Sequence, residues 1–246
     1  MSNALVIIPT YNEKENIVAI IHAVLAQPKD FHLLIIDDNS PDGTAELIKE
    51  QQSRFNTPTE TKLHLLQRAG KLGLGTAYIE GFNIALKNSY DFILEMDADF
   101  SHDPRDLQRL YLACAESGYD LAVGSRYSSG VNVVNWPMRR VLLSFFASRY
   151  VRIVTGIPIH DTTAGFVCYR KQVLEKIPLD KVKFIGYAFQ IEMKFAAWKL
   201  GFKIIEVPII FTDRTLGQSK MSVGIFKEGF LGVIQMTIRS WLRKFE

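Results

Sequence analysis

The chain has 246 residues, 48% of them hydrophobic and 22% charged, with a formal net charge of +3. That is ample for a sizeable core in one large domain or two small ones, and so small a positive surplus excludes a whole-chain nucleic-acid footprint. No apolar run approaches the ~20 residues that span a bilayer, and Met1 to Ala4 lacks the basic, then apolar, pattern of a signal peptide, so a soluble or peripheral chain is expected.

In chain order, Leu5 to Ile8 reads as a strand that stops at Pro9-Thr10-Tyr11-Asn12-Glu13. A helix is predicted over roughly Glu15 to Leu25, with Ile17, Ile20, Ile21 and Val24 on one face. Leu33 to Ile36 is a second strand, ending in Asp37-Asp38; Asn39 to Gly43 is turn chemistry and Thr44 a cap for the next helix. Lys62 to Gln67 is a third strand, followed by a glycine-rich basic loop, Arg68 to Ala77. The apolar run Phe92 to Leu94 is a buried strand leading to Asp97 and Asp99, and Asp103-Pro104 looks like a helix start with Asp103 as cap. Asp120 to Gly124 is a fifth strand, Asp161 to Phe166 a turn, Gln190 to Met193 part of a helix, and Ile204 to Phe211 a further strand. Alternating strands and helices predict a mostly parallel sheet covered on both faces. The cysteines, Cys114 and Cys168, read as reduced core residues.

Asp97 and Asp99 are one residue apart at a strand end, where open α/β sheets bind ligands. In extended chain they would face one point, and two hard carboxylate oxygens suit Mg²⁺ or Mn²⁺ with phosphate completing the shell. A solvated acidic turn is the other reading. His102 is either a group behind the metal ligands or a satisfied structural histidine. From Leu121 through His160 there is no Asp or Glu, whereas Arg126, Arg139, Arg140, Arg149 and Arg152 are interleaved with apolar residues. Such a segment suits an anionic amphiphile or lipid surface, or else is a core helix with solvated arginines. The glycine loop fails the dinucleotide and Walker spacings; it either approaches a phosphate or base, or makes a tight connection. The segment Val223 to Phe245 puts Phe226, Phe230, Ile234, Ile238, Trp241 and Phe245 on one helical stripe, for a membrane interface or for the domain's own core.

Five pieces recur in order: Pro9-Thr10-Tyr11-Asn12-Glu13; Ile36-Asp37-Asp38 with Ser40-Pro41-Asp42-Gly43-Thr44; Lys71 to Ala77; Asp97-Ala98-Asp99; and Gly124-Ser125-Arg126-Tyr127. Together they resemble family 2 glycosyltransferases of the GT-A fold. Asp161 to Phe166, Gln190 to Met193, and Asp213-Arg214 with Ser219-Lys220 narrow the resemblance to dolichyl-phosphate (polyprenyl-phosphate) mannose synthases. The resemblance implies one α/β GT-A domain over 1–246: a nucleotide-sugar-binding half (1–127), an acceptor half (128–220) and a C-terminal amphipathic segment (221–246).

It implies an inverting transfer of mannose from GDP-mannose to a polyprenyl (dolichyl-type) phosphate. Pro9, Tyr11, Glu13, Ile36 and Asp38 would bind the donor's base and ribose. Asp97, Ala98 and Asp99 would hold the diphosphate through Mg²⁺ or Mn²⁺, with Asp97 and Asp99 the metal ligands. Arg126, Arg214 and Lys220 would hold phosphates and serve catalysis with Asp99, and Arg126 with Arg140 would take the acceptor phosphate. Ser101 stands where some members carry a further ligand, Gln. The implied setting is the cytoplasmic face of a membrane, with a peripheral chain, alone or with a separate membrane subunit, and no nucleic acid. A UDP-sugar-dependent hexosyl transferase and a non-catalytic nucleotide-binding subunit are the rival readings.

Overall fold

The computed structural model of the protein describes residues 2–186, 188–214, 216, 232–238 and 240. The first half alternates β1 (Ala4–Thr10), α1 (Ile17–Leu25), β2 (His32–Asp37), α2 (Thr44–Phe55), β3 (Leu63–Gln67), α3 (Leu74–Lys87), β4 (Phe92–Glu95), α4 (Asp106–Ala115) and β5 (Leu121–Ser125). Then follow β6 (Val133–Val134), α5 (Met138–Thr155), β7 (Val167–Arg170), α6 (Lys171–Lys176), α7 (Ala188–Lys199), β8 (Ile204–Pro208) and β9 (Phe211–Thr212). Residues 232–238 form a further helix.

Seven strands make one sheet in the order β3-β2-β1-β4-β7-β5-β8, and β6 pairs with β9 alongside it. All neighbours in the large sheet run parallel except β7, which is antiparallel to both β4 and β5. Side chains alternate across each strand. Ala4, Val6 and Ile8 of β1 join one core with α1, α2 and α4. Leu5 and Ile7 join another with α3, α6 and α7. The apolar face expected of α1 is the face that is buried, Ile17, Ile20, Ile21 and Val24 at 0% exposure; each such side chain contributes about 1.5–3 kcal/mol relative to an exposed one.

Several local boundaries differ from the sequence reading. The first helix begins at Ile17, because the Asn16 and Ile17 N–H groups first close a turn on the Glu13 carbonyl. Thr44 is the first helical residue and not the cap: the cap position is Gly43, at φ 91°, and the Thr44 N–H donates to Asp42 Oδ1 at 3.0 Å. Asp103 accepts the Arg105 N–H at 2.9 Å, closing the turn before α4. The strand expected over Ile204 to Phe211 is two, β8 and β9, the second belonging to the small sheet. The helix 232–238 packs Val233 and Met236 on Val151, Ile157, Ile159, Ile191 and Phe195. Ile234 and Ile238 of the predicted stripe are exposed, and the rest of the stripe, Phe226, Phe230, Trp241 and Phe245, lies outside the described residues.

Candidate active site

From β1 the chain winds outward through β2 to β3, then crosses back to β4 on the other side of β1. The gap between the carboxyl ends of β1 and β4 is therefore a topological switch point, where open α/β sheets bind ligands. The loops after β1, β2 and β4 meet there. Pro9 and Thr10 stand in register with Ile36 and Asp37. Beyond the strands the first two loops are laced by side chains: Asn12 N–H donates to Ser40 Oγ at 2.9 Å, Glu13 N–H to Thr44 Oγ1 at 3.1 Å, and Lys14 N–H to Asp42 Oδ2 at 3.1 Å. Asn12 and Asn39 both turn the chain through left-handed backbone, at φ 54° and 59°, a conformation Asn tolerates better than most residues.

Around Asp38 the structure adds a residue that the sequence reading left unassigned. Arg68 Nε donates to Asp38 Oδ1 at 2.6 Å, and its other nitrogens reach Thr76 Oγ1 at 2.8 Å and the Gly73 carbonyl at 3.2 Å. This buried guanidinium ties the glycine-rich loop to the end of β2. Burial pushes the Asp38 carboxyl up even against Arg68. Lys71 Nζ lies 4.8 Å from the Tyr11 ring centroid, a cation–π contact between the glycine-rich loop and the loop after β1. Gly75 packs close against Phe184 and Phe189: an added Cβ would come within 2.7 Å of the Phe184 carbonyl. The tight-connection reading of that glycine accounts for it.

Past β4, Asp99 is buried, Asp97 half-buried and Ala98 buried between them. Phe100 takes φ 58°, so the chain doubles back at once, and Asp99 Oδ1 accepts the Ser101 N–H at 3.0 Å. A left-handed phenylalanine costs of order 1–3 kcal/mol, a strain that clusters at functional sites. Arg214 Nη2 reaches Asp99 Oδ2 at 2.8 Å. Desolvation, then the neighbouring Asp99 charge, raises the Asp97 carboxyl to about 7, while hydrogen bonding to Ser101 and the Arg214 charge hold Asp99 below the usual range against burial. His102 stacks on Phe166 behind the pair, and the Asp97 N–H approaches its Nδ1 at 3.4 Å. Burial, with Arg126 adding to it, pushes the imidazole down to about 4 despite Asp99, leaving it neutral at pH 7.

Arg126 follows β5. Its main-chain N–H, Nε and Nη2 donate to the Asp161 carboxylate at 2.9, 2.7 and 2.6 Å, and Nη2 also to Thr163 Oγ1 at 2.9 Å. Asp161 is held in turn: its N–H donates to Glu206 Oε1 at 2.9 Å, which also accepts from Ser125 Oγ at 2.7 Å. Arg140, near the start of α5, donates to Asp213 Oδ1 at 2.7 Å and lies over the Trp136 ring at 4.1 Å. Arg140 and Arg214 are thus brought together through the segment that follows β9. Lys220 lies outside the described residues.

Residues 5–178 match the family described as glycosyl transferase family 2. The chain belongs to that family. It is 46% identical over 238 residues to the polyprenol monophosphomannose synthase of Mycolicibacterium smegmatis, covering 97% of this chain and 88% of that one. It is 42% identical over 229 residues to the undecaprenyl-phosphate mannosyltransferase of Micrococcus luteus, with 93% and 91% covered. Among solved structures it superposes on glucosyl-3-phosphoglycerate synthase of Mycobacterium tuberculosis with Mn²⁺, UDP and glucosyl-3-phosphoglycerate, at TM-score 0.65 and 16% identity, covering 96% of this chain and 78% of that one. A mannosyltransferase of Pyrobaculum calidifontis with GDP-Man and Mn²⁺ gives TM-score 0.59 at 17% identity, with 98% and 64% covered. The expected family and the expected α/β architecture are both borne out.

Asp97 and Asp99 are the residues expected from the sequence to hold a metal ion. Their chemistry suits a hard divalent cation: both are carboxylates, and the Asp99 charge, after burial, helps to lift Asp97, which a cation would relieve. Asp30, His32 and Glu60 also cluster, at the opposite end of β2 from Asp37. Lys62 Nζ sits 2.7 Å from Asp30 and 3.6 Å from Glu60, as Arg214 Nη2 sits 2.8 Å from Asp99, so both acidic groups have a basic side chain beside them.

Proposed function

We propose that the chain transfers mannose from GDP-mannose to a polyprenyl phosphate, with inversion at the sugar carbon, at a membrane surface. The observation that carries this reading is the meeting of a carboxylate pair with an arginine set at the switch point of a family 2 fold. Asp99 is within 2.8 Å of Arg214, and Arg140 shares Asp213 with the same segment. The similarity of 42–46% to two chains named for transfer of mannose to polyprenyl phosphates supports the acceptor class and the sugar.

The base and ribose lie between the loops after β1 and β2, against Pro9, Tyr11, Glu13, Ile36 and Asp38, with Arg68 fixing Asp38. Asp97 and Asp99 would hold Mg²⁺ or Mn²⁺, and the bound ion would supply neutralisation of the charge that develops on a departing nucleoside diphosphate. Arg214 holds the diphosphate beside Asp99, a role that the family resemblance gives to Lys220 as well. The acceptor phosphate is largely dianionic at neutral pH because its second pKa is about 6, so no strong general base is required. Arg126 and Arg140 align it behind the sugar carbon. One displacement then forms the phosphate–sugar bond and breaks the sugar–diphosphate bond, and the electron pair leaves on the diphosphate. Neutral His102 backs Asp97 and takes no proton.

The acceptor's hydrocarbon calls for a lipid surface. Among the described residues no helix is long and apolar enough to cross a membrane. α5 instead exposes Met138, Leu142, Leu143, Phe146 and Ile153, the last at 75%, on a segment free of carboxylates and carrying Arg139 and Arg149. An apolar, cationic helix face is suited to the headgroup region of an anionic bilayer, and it places the acceptor's phosphate next to Arg140. Attachment at the cytoplasmic face, directly or through a separate membrane subunit, belongs to the same reading.

The test is donor profiling. Full-length protein is incubated with a short-chain polyprenyl phosphate, Mg²⁺ or Mn²⁺, and GDP-mannose, UDP-glucose or UDP-N-acetylglucosamine in turn, with lipid products read by mass spectrometry. Mannosyl-phosphoryl lipid from GDP-mannose alone is expected. Transfer from a UDP-sugar, with none from GDP-mannose, would overturn the donor assignment.

A further inference from the structure

Below the reacting groups lies a buried polar chain that the transfer chemistry does not use. Glu95, the last residue of β4, is fully buried two residues before Asp97. Gln190 on α7 donates from Nε2 to Glu95 Oε2 at 2.7 Å. One helical turn on, Lys194 donates from Nζ to Gln190 Oε1 at 3.2 Å and to the Ala164 carbonyl at 2.5 Å. Lys194 is 0% exposed and Gln190 2%. Ala164 closes the turn whose first residue, Asp161, grips Arg126.

A buried lysine is an expensive way to fill a core, because desolvating an ammonium and its partner often costs more than an apolar pair of the same volume. What an apolar side chain could not do is join two separate elements by directional bonds. Through Gln190, Lys194 joins the end of β4, which leads to Asp97 and Asp99, to the 161–164 turn, whose Asp161 and Thr163 hold Arg126. Those are the two sides of the reacting pair in the function proposed above. Helix α7 is otherwise packed into the core through Phe189, Met193, Ala196 and Ala197, so it is a firm base for such a tie.

We propose that Lys194 is a positioning residue for the transfer: through Ala164 and Gln190 it sets the 161–164 turn, which holds Arg126, at a fixed place relative to the strand that leads to Asp97 and Asp99. The inference rests on the reading that Arg126 holds the acceptor phosphate. Lys194 touches no substrate, so its loss should spoil alignment and leave the donor pocket intact. A 1 Å misplacement at a reacting centre can cost on the order of a hundredfold in rate.

The decisive variant is the double substitution Lys194→Met with Glu95→Gln, which removes the cation without leaving a buried carboxylate uncompensated. Thermal unfolding close to wild type is expected, with GDP–Mn²⁺ affinity by calorimetry and donor KM little changed. The acceptor kcat/KM should fall by at least about tenfold, and amide exchange in peptides covering 161–166 should quicken while that in 4–10 does not. A folded double variant with wild-type acceptor kcat/KM would overturn the proposal. Should the double variant not fold, Lys194→Gln with Glu95→Gln keeps the volume polar and is read by the same exchange measurement; unchanged protection of 161–166 would overturn it equally. Arg126→Ala, run in parallel, separates the two claims. If Arg126→Ala leaves acceptor kinetics untouched, the reading of Arg126 is wrong; if it impairs them while the Lys194 variants are silent, only the positioning role is wrong.

Discussion

Replacing Asp161 by Asn tests whether the Arg126 site depends on its carboxylate. Asp161 is 0% exposed and Arg126 8%, and three N–H groups of Arg126 converge on the Asp161 carboxylate. Removing one partner of a buried ion pair typically costs ~3–5 kcal/mol. Asn retains one acceptor oxygen and Thr163 still accepts from Nη2, so about 2–4 kcal/mol is expected here. For a chain of this size that is a Tm lower by roughly 5–15 °C.

The pH dependence has a definite sign. Burial pushes the Asp161 carboxyl up, but the charge and bonds of Arg126 outweigh it and the folded-state pKa is lowered. Its contribution is therefore complete above the unfolded value of about 3.9 and is lost only as pH falls through the lower folded value. The Tm gap between wild type and Asp161→Asn should be flat from about pH 6 to 8 and close only in strong acid. Scanning calorimetry across that range, paired with the transfer assay, checks it. Acceptor kcat/KM should drop roughly a hundredfold as the guanidinium loses its orientation. A variant with wild-type Tm and wild-type turnover would refute the reasoning.

Asp99→Ala should nearly abolish transfer, since a metal's stabilisation of the leaving group is worth several kcal/mol; loss of Mn²⁺ binding by calorimetry would accompany it, and wild-type transfer with intact metal dependence would remove Asp99 as a ligand. Gly75→Ala should cost about 1–3 kcal/mol, because the new Cβ meets the Phe184 carbonyl at 2.7 Å and the Phe189 ring at 2.9 Å; urea denaturation with an unchanged midpoint would contradict this. Phe146→Glu together with Ile153→Glu should leave Tm within a few degrees, as both side chains are exposed, and should cut co-sedimentation with anionic liposomes by roughly tenfold or more. Undiminished co-sedimentation would exclude α5 as the lipid-facing surface.

What the sequence settled by itself is what local periodicity and local chemistry carry. The spacing of Ile17, Ile20, Ile21 and Val24 marks a helix face whatever it packs on, and that face is the buried one. Apolar runs that end in polar clusters placed β1, β2 and β4, and with them put Asp38, Asp97 and Asp99 at the same end of a parallel sheet. The ordered motifs were enough to reach the family. Short elements were harder: β7 has four residues, too few to show a period, and its antiparallel place between β4 and β5 follows from the route the chain takes across the sheet.

The pairings that shape the site were decided only by tertiary structure. Arg68 meets Asp38 across 30 positions, Arg126 meets Asp161 across 35, and Gln190 meets Glu95 across 95. A side chain's type announces that it needs a partner but not which one, because the choice depends on strand order and on which loop ends are brought together. Lys194 shows this most plainly. In sequence it is one more lysine on a helix, with an ordinary expectation of solvent. Only the packing of α7 over the ends of β4 and the 161–164 turn buries its ammonium between the two halves of the site, where the cost of desolvation is offset by bonds that hold both in place.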